Sequence, residues 1–314
     1  MKNKINIILK PDKSGNYITA IAMGESYLSN FTKYAMPSWI EYCNRFGLGL
    51  AIVEEELIDF SDKHYKKPIW QQFLIGKEMQ VIDNSVNNIC YLDTDIIISP
   101  VAPNIFEFHD KAKISITSQR TNLPFSREVV KKRVAFFRNK YYDQKYPLDS
   151  SLFISIDNLY KHHDLEVPKI ADEVCAGMYV FNVKKYSDFF EQLFYLYTQD
   201  IKSITDGGVQ THFNFHVLNN EVNFLSYKFQ ALWVFEQAMR YPFLYDNPSE
   251  DMIIKCIDLA LLDNYFLHFA GSWHESEMWK SDEILKLKSI SMMNDFAMYL
   301  KQKVSGEPVG MVTP

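Results

Sequence analysis

Apolar residues along the first hundred positions switch repeatedly between two periods. Residues 18–23 form a short apolar run that stops at Gly24 and reads as a strand entering a tight turn. Residues 28–46 carry helical spacing and end at Gly47, a residue suited to the position after a helix. Residues 48–53 read as a second strand, and the acidic run Glu54-Glu55-Glu56 after it reads as a solvated loop. Trp70, Phe73, Leu74 and Lys77 lie about one helical turn apart, so the spacing predicts a helix over 69–81. Residues 88–92, Asn-Ile-Cys-Tyr-Leu, have the β-branched and aromatic content of a buried strand. This β-α-β-α-β order implies an α/β fold with a mostly parallel sheet and helices on its faces. Ligands of such sheets bind at the carboxyl ends of the strands.

The remainder is less regular. Residues 119–172 hold Arg120, Arg127, Lys131, Lys132, Arg133, Arg138 and Lys140 among Phe125, Phe136, Phe137, Tyr141 and Tyr142. This segment reads either as a surface helical insertion with a charged face or as a lid that binds an acceptor. Its 54 residues exceed an ordinary connection. Strand character returns over 174–181, residues 225–234 are mixed, and 264–270 read as a late strand with His268 near its end. Residues 281–304 read as an amphipathic helix with Ser281 as N-cap, followed by a flexible tail over 305–314. That divides the chain into a main domain, 1–280, and a C-terminal helix with its tail, 281–314.

Composition narrows the class. The 314 residues are 47% hydrophobic and 15% aromatic, enough for a large core in one domain or two small ones. The formal charge of −6 disfavours a nucleic-acid partner. Cys43, Cys90, Cys175 and Cys256 are far apart, which fits reduced thiols in a cytoplasmic protein better than a zinc ribbon or a disulfide framework. The apolar run at 5–9 is too short for a secretory segment, and no run approaches the roughly 18 apolar residues of a transmembrane helix. The sequon Asn30-Phe31-Thr32 is therefore expected to be unused.

The candidate chemistry centres on Asp93-Thr94-Asp95, set between the apolar runs 88–92 and 96–98. Residues i and i+2 of a strand share a face, so the two carboxylates are expected to converge. Converging carboxylates at a strand end suit Mg²⁺ or Mn²⁺ carrying a phosphate. The alternative is a solvated turn, where Asp is common. There is no Gly-X-Gly-X-X-Gly, Walker-type loop, His-Glu-X-X-His or Gly-X-Ser-X-Gly motif. His212 and His216 could share a helix face, but no third metal ligand suggests itself beside them.

Four elements carry a resemblance: Trp70 with Tyr91-Leu92-Asp93-Thr94-Asp95, Ala176 to Asn182, Gln210-Thr211-His212-Phe213-Asn214, and His268-Phe269-Ala270-Gly271. In this order they resemble a GT-A fold glycosyltransferase, nearest to the glycogenin- and galactosyltransferase-like family 8, over residues 18–275. The resemblance implies a Rossmann-like mixed sheet and transfer of a sugar from a nucleotide sugar, a UDP-sugar by preference, to a glycan or other hydroxyl acceptor. It implies Asp93, Asp95 and His268 as ligands of Mn²⁺ or Mg²⁺. Ala22, Met23 and Tyr27 fall where the family cradles the base, with Tyr27 available for stacking. Gly177 would let the backbone approach the sugar. Gln210, and Asp206 four residues before it, fall near the transferred sugar as catalytic candidates, although Val209 stands where relatives carry the acid.

Family 8 enzymes follow the late histidine motif with a lysine on the diphosphate. Here Ser272-Trp273-His274 follows, with Lys280 later, so His274 or a basic residue of the insertion is expected to take that part. Lys77 and Asp93 complete the donor-site candidates. The late histidine favours a retaining reaction. No nucleic acid or membrane span is implied, while a peripheral membrane contact and a homodimer through the C-terminal helix remain open. A sugar nucleotidyltransferase would need a glycine-rich basic loop that Gly24-Glu25-Ser26-Tyr27 does not supply. A non-catalytic nucleotide-sugar-binding protein would tolerate loss of the metal ligands, yet all three are present.

Overall fold

The structure, a computed structural model, describes residues 4–142, 153–197, 209–271 and 273–286. Its strands are β1 (Ile5–Leu9), β2 (Asn16–Ile21), β3 (Gly49–Val53), β4 (Asn88–Leu92), β5 (Ile96–Ile98), β6 (Ile114–Ser118), β7 (Val174–Asn182), β8 (Val222–Phe224), β9 (Ala231–Leu232) and β10 (Phe266–His268). Its helices are α1 (Glu25–Asn30), α2 (Met36–Phe46), α3 (Pro68–Gln71), α4 (Ile75–Ile82), α5 (Arg127–Tyr141), α6 (Ile156–Lys161), α7 (Val183–Leu196), α8 (Gln210–Leu218), α9 (Trp233–Arg240) and α10 (Glu250–Asp263).

Seven strands form one sheet in the order β1-β3-β2-β4-β7-β6-β8. The β3-β2-β4 and β6-β8 pairings are parallel, whereas β1 pairs antiparallel with β3, and β7 with both β4 and β6. The sheet is thus mixed and mostly parallel, with only β1 and β7 reversed. A second sheet, β5-β10-β9, lies beside it.

Alternating side chains feed two cores. Cys90 and Leu92 of β4 join the core containing α2, β5, α9 and α10, while Ile89 and Tyr91 join the core containing α4, α7 and α8. Leu50 and Ile52 against Ala51 and Val53 in β3, and Met178 and Val180 against Tyr179 and Phe181 in β7, divide the same way. Burial of both faces explains why these strands read as continuous apolar runs. In the second core Phe73 stacks on Phe190 and Phe213, with centroids 5.9 and 6.0 Å away.

Several expectations need refining. The helix expected over 28–46 is α1, a π turn at Phe31–Ala35, and α2, closed by Gly47 at φ 63°. The helix expected over 69–81 is α3, a 3-10 turn and α4. The late strand shortens to the three residues of β10. The acidic triplet does not lie on a strand: Asp93 leaves β4, and residues 94 and 95 turn the chain into β5 of the other sheet.

The 119–172 segment is not a detached cover where it is described. Val130 and Val134 of α5 enter the first core. Its arginines bind inward: Arg120 and Arg127 meet Glu173 at 2.7 and 3.1 Å, and Arg138 meets Glu275 at 2.9 Å. Arg133 donates to the carbonyls of Ala238 and Met239. Residues 281–286 form turns rather than the start of a helix, so Ser281 caps none, and 287–304 lie outside the described residues. Among the described residues no helix is long and apolar enough to cross a membrane.

Candidate active site

Two backbone ladders bring three side chains together. The β4–β7 ladder continues past Leu92 with Asp93 N–H donating to the Gly177 carbonyl at 2.9 Å. The β5–β10 ladder pairs Ile96 with His268 and ends with Phe269 N–H donating to the Asp95 carbonyl at 3.1 Å. The turn between β4 and β5 therefore fixes both carboxylates against His268. Trp39 on α2 steadies it by donating its indole N–H to the Ile96 carbonyl at 2.8 Å. Convergence comes from a turn bridging two sheets, not from the i, i+2 alternation of one strand.

His268 Nε2 lies 3.1 Å from Asp95 Oδ1 and 3.7 Å from Asp93 Oδ2. One potential ligand atom from each of the three residues falls within 4.8 Å of the others. The Tyr91 hydroxyl donates to Asp93 Oδ1 at 2.9 Å. Removal from water pushes the Asp93 carboxyl up to about 6; His268 pulls against this, Asp95 adds to it and the Tyr91 bond opposes it. Burial works against a charged His268, but the neighbouring Asp95 and Cys175 outweigh it and hold the imidazole well above its ordinary value.

These residues fit a hard divalent cation. Among the described residues, buried Asp95 Oδ1 has no neighbour of opposite charge but the His268 ring, from which it accepts no well-aligned hydrogen bond, so a cation between the two would satisfy it better. Gly177 keeps the space open, since a Cβ there would sit 2.5 Å from Asp93 Oδ2 and collide with the His268 ring. Two carboxylate oxygens and one imidazole suit Mg²⁺ or Mn²⁺ with further positions left for ligand oxygens.

The aspartates line a cleft of about 720 Å³ at the carboxyl ends of β2 and β4. Met23 and Tyr27 also line it, and Tyr27 is 69% exposed there. Its other walls include Lys67 and Ile69 at the start of α3, and Ser276, Glu277, Trp279 and Lys280 after β10. Lys280 pairs with Glu277, whereas among the described residues Lys67 has no ion-pair partner.

The other expected residues fall elsewhere. Ala22 is buried behind the cleft, its N–H bonded to the Val53 carbonyl. Lys77 faces α7, where it pairs with Asp188 and with Glu191 at 3.5 Å. His274 is exposed beside the Tyr142 ring, centroids 5.4 Å apart, and does not line the cleft. Gln210 begins α8, one turn before Asn214, whose side chain holds both backbone polar groups of Val174. Asp206 lies outside the described residues. His212 and His216 pack around Tyr197 in an aromatic cluster.

Lys67 and Trp279 were not singled out from the sequence. Pro68 supplied a usable signal for the first, because proline favours the opening turn of a helix and so places Lys67 just outside it. Trp279 follows the late histidine motif by eleven positions through an irregular segment, and no periodicity marks it.

No protein-family profile matches the chain, and no curated protein matches it. Among solved structures it is similar to a glycosyltransferase involved in the glycosylation of the major capsid of PBCV-1, at 11% identity and TM-score 0.47, over 85% of this chain and 99% of that one. It is similar to the bifunctional glycosyltransferase WbbM in its apo form, at 11% identity and TM-score 0.43, over 91% of this chain and 51% of that one. It is also similar to the glycosyltransferase GlyE of Streptococcus pneumoniae TIGR4, at 12% identity and TM-score 0.44, over 93% of this chain and 64% of that one. The chain thus spans about half of the WbbM chain.

Proposed function

We propose that this protein is a metal-dependent glycosyltransferase that moves a sugar from a UDP-sugar to a hydroxyl of a glycan with retention at the anomeric carbon. The observation that carries this reading is the Asp93–Asp95–His268 cluster at an open cleft that also holds an exposed aromatic ring and an unpaired cation. Mn²⁺ or Mg²⁺ bound there would offset the charge that grows on a leaving diphosphate.

The chain's own residues divide the remaining tasks. Tyr27 offers a face on which the base stacks. Lys67 contributes a point charge for the diphosphate, a part that neither Lys77 nor His274 is placed to take. Gly177 leaves the backbone bare next to the cluster. An inverting reaction needs a carboxylate base beside the acceptor hydroxyl. The retaining reading rests on the late His268 segment, as the family resemblance implies, and in such a reaction the leaving phosphate accepts the proton.

The test is incubation with a panel of sugar nucleotides and Mn²⁺, following release of nucleoside diphosphate. One UDP-sugar should be hydrolysed slowly, and Asp95→Ala should remove most of that activity without unfolding the protein. Undiminished turnover by Asp95→Ala in the presence of a chelator contradicts the reading. So does several-fold tighter binding of GDP than of UDP.

A further inference from the structure

The buried face of α5 follows a spacing of four: Val130, Val134, Arg138. Its third member stands where the helical period calls for an apolar side chain. Arg138 and Glu275 are 3% and 1% exposed, and Arg138 Nε donates to Glu275 Oε1 at 2.9 Å. The guanidinium also lies over the Trp273 ring, 4.1 Å from its centroid. A buried pair of this kind adds little stability over apolar residues of similar volume, because desolvating two charges offsets their attraction. It does restrict what can pack at that place, since either charge alone would be left uncompensated.

Both partners of Arg138 belong to the strap of chain after β10. Glu275 sits within its 3-10 turn, His274–Glu277, and Trp273 precedes that turn. Ser276, Glu277, Trp279 and Lys280 of the same strap line the cleft. The strap's own backbone bonds are short-range: Ser276 N–H to the Trp273 carbonyl, Met278 to Glu275, and Lys280 to Glu277. Turns so local do not hold a wall in place by themselves. Trp279, buried in the first core beside Tyr34, and Met278, whose sulfur accepts the Trp233 indole N–H at 3.3 Å, anchor the strap's far end. Glu275 with Trp273 anchors its near end on Arg138.

We infer that Arg138 is a positioning residue, whose buried pairing with Glu275 and contact with Trp273 set the strap 273–280 as one wall of the nucleotide cleft. The effect on donor binding rests on the glycosyl-transfer reading above, whereas the anchoring itself does not. Arg138 reaches the ligand only through the strap and touches none of the reacting atoms.

The experiment compares the full-length protein with Arg138→Met, Glu275→Met and the double variant. Three readouts are the melting temperature, amide hydrogen exchange over 276–280, and calorimetric binding of UDP with Mn²⁺. Each single variant strands a buried charge and should melt lower. The double variant should recover most of that loss, because a methionine pair suits an apolar site. Its 276–280 amides should still exchange at least about tenfold faster than in wild type, and UDP should bind about tenfold more weakly, since a wall displaced by an ångström loses affinity and rate. A double variant with wild-type exchange and wild-type UDP affinity overturns the proposal, because the strap would then be held by ordinary packing. If exchange quickens as expected but wild-type protein binds no UDP, the anchoring stands and the glycosyl-transfer reading fails.

Discussion

Gln230 Nε2 lies 3.3 Å from His268 Nδ1, and the same carboxamide accepts the Thr117 hydroxyl at 2.6 Å. All three residues are buried, so β6 and the turn before β9 together hold the ring behind the candidate metal site. A histidine that gives Nε2 to a cation carries its proton on Nδ1, and a partner on that side fixes both tautomer and ring orientation. As placed, Nε2 of the carboxamide also donates to the Cys175 carbonyl at 3.3 Å, so presenting its oxygen to Nδ1 on metal binding means giving up that bond while the Thr117 hydroxyl turns from donor to acceptor. Gln230→Met should therefore weaken Mn²⁺ binding by about 10- to 100-fold, measured by titration of the metal with the fold checked by circular dichroism. An unchanged affinity would mean that Gln230 only fills space.

Gly177 tests the site from the strand opposite the turn. A methyl group there would meet Asp93 Oδ2 at 2.5 Å and the His268 ring; the ladders hold both backbones, so the two side chains could make room only by turning apart. Gly177→Ala should cost about 1–3 kcal/mol of stability through overpacking and should also abolish the rise in melting temperature on adding Mn²⁺. A variant that keeps the wild-type metal response would show that the ligand atoms do not converge as closely as described.

Lys67 and Lys77 make a paired comparison, ten positions apart, the first just before α3 and the second within α4. Lys77 answers to Asp188 and Glu191 on α7, an exposed arrangement of the kind that contributes little. Lys67 lines the cleft. Lys67→Ala should weaken UDP binding by about tenfold or more, in line with loss of a charge-assisted contact of roughly 1.5–3 kcal/mol, while Lys77→Ala should bind UDP as wild type does. Isothermal titration of the two variants in parallel decides the matter, and the reverse ranking would favour Lys77 as the lysine of the donor site.

The parts of this protein that were legible before folding were those in which chemistry and pattern coincide. The runs at 88–92 and 174–181 read as strands because both of their faces are buried, yet an apolar run carries no direction, so the antiparallel setting of β7 was not visible. β6 went unread for a related reason. Its sequence, Ile-Ser-Ile-Thr-Ser, looks half-solvated, but Ser115, Thr117 and Ser118 are all buried, with partners in His109, Gln230 and Asp172 respectively. Asp93 and Asp95 stood out because carboxylates between apolar runs demand an explanation, whereas His268 entered only through the family resemblance. The arginines of 119–142 misled because their acidic partners, Glu173 and Glu275, are distant in sequence, so the cluster looked uncompensated.

The Asp93 carboxyl is raised from 3.8 to about 6, so between those values the folded protein binds more protons than the unfolded chain. Stability contributed by this group is fully present below about 3.8 and is lost as pH rises through about 6. His268, also raised, acts in the same sense: its contribution is present below its unfolded value and is lost as pH rises through its folded one. The metal-free site is thus increasingly a liability toward alkaline pH, where Asp93 is ionised and the imidazole gives up its proton. A divalent cation takes the place of those protons, so its binding should strengthen over the same interval. The increment in melting temperature on adding Mn²⁺ should be small at pH 5, where Asp93 is largely protonated, and should grow steadily to pH 8. In Asp93→Asn the increment should be smaller at every pH, and the part of its slope near pH 6 should flatten. Differential scanning calorimetry across that range, with and without Mn²⁺, measures both curves. An increment that shrinks as pH rises would mean that the cation binds elsewhere on the protein.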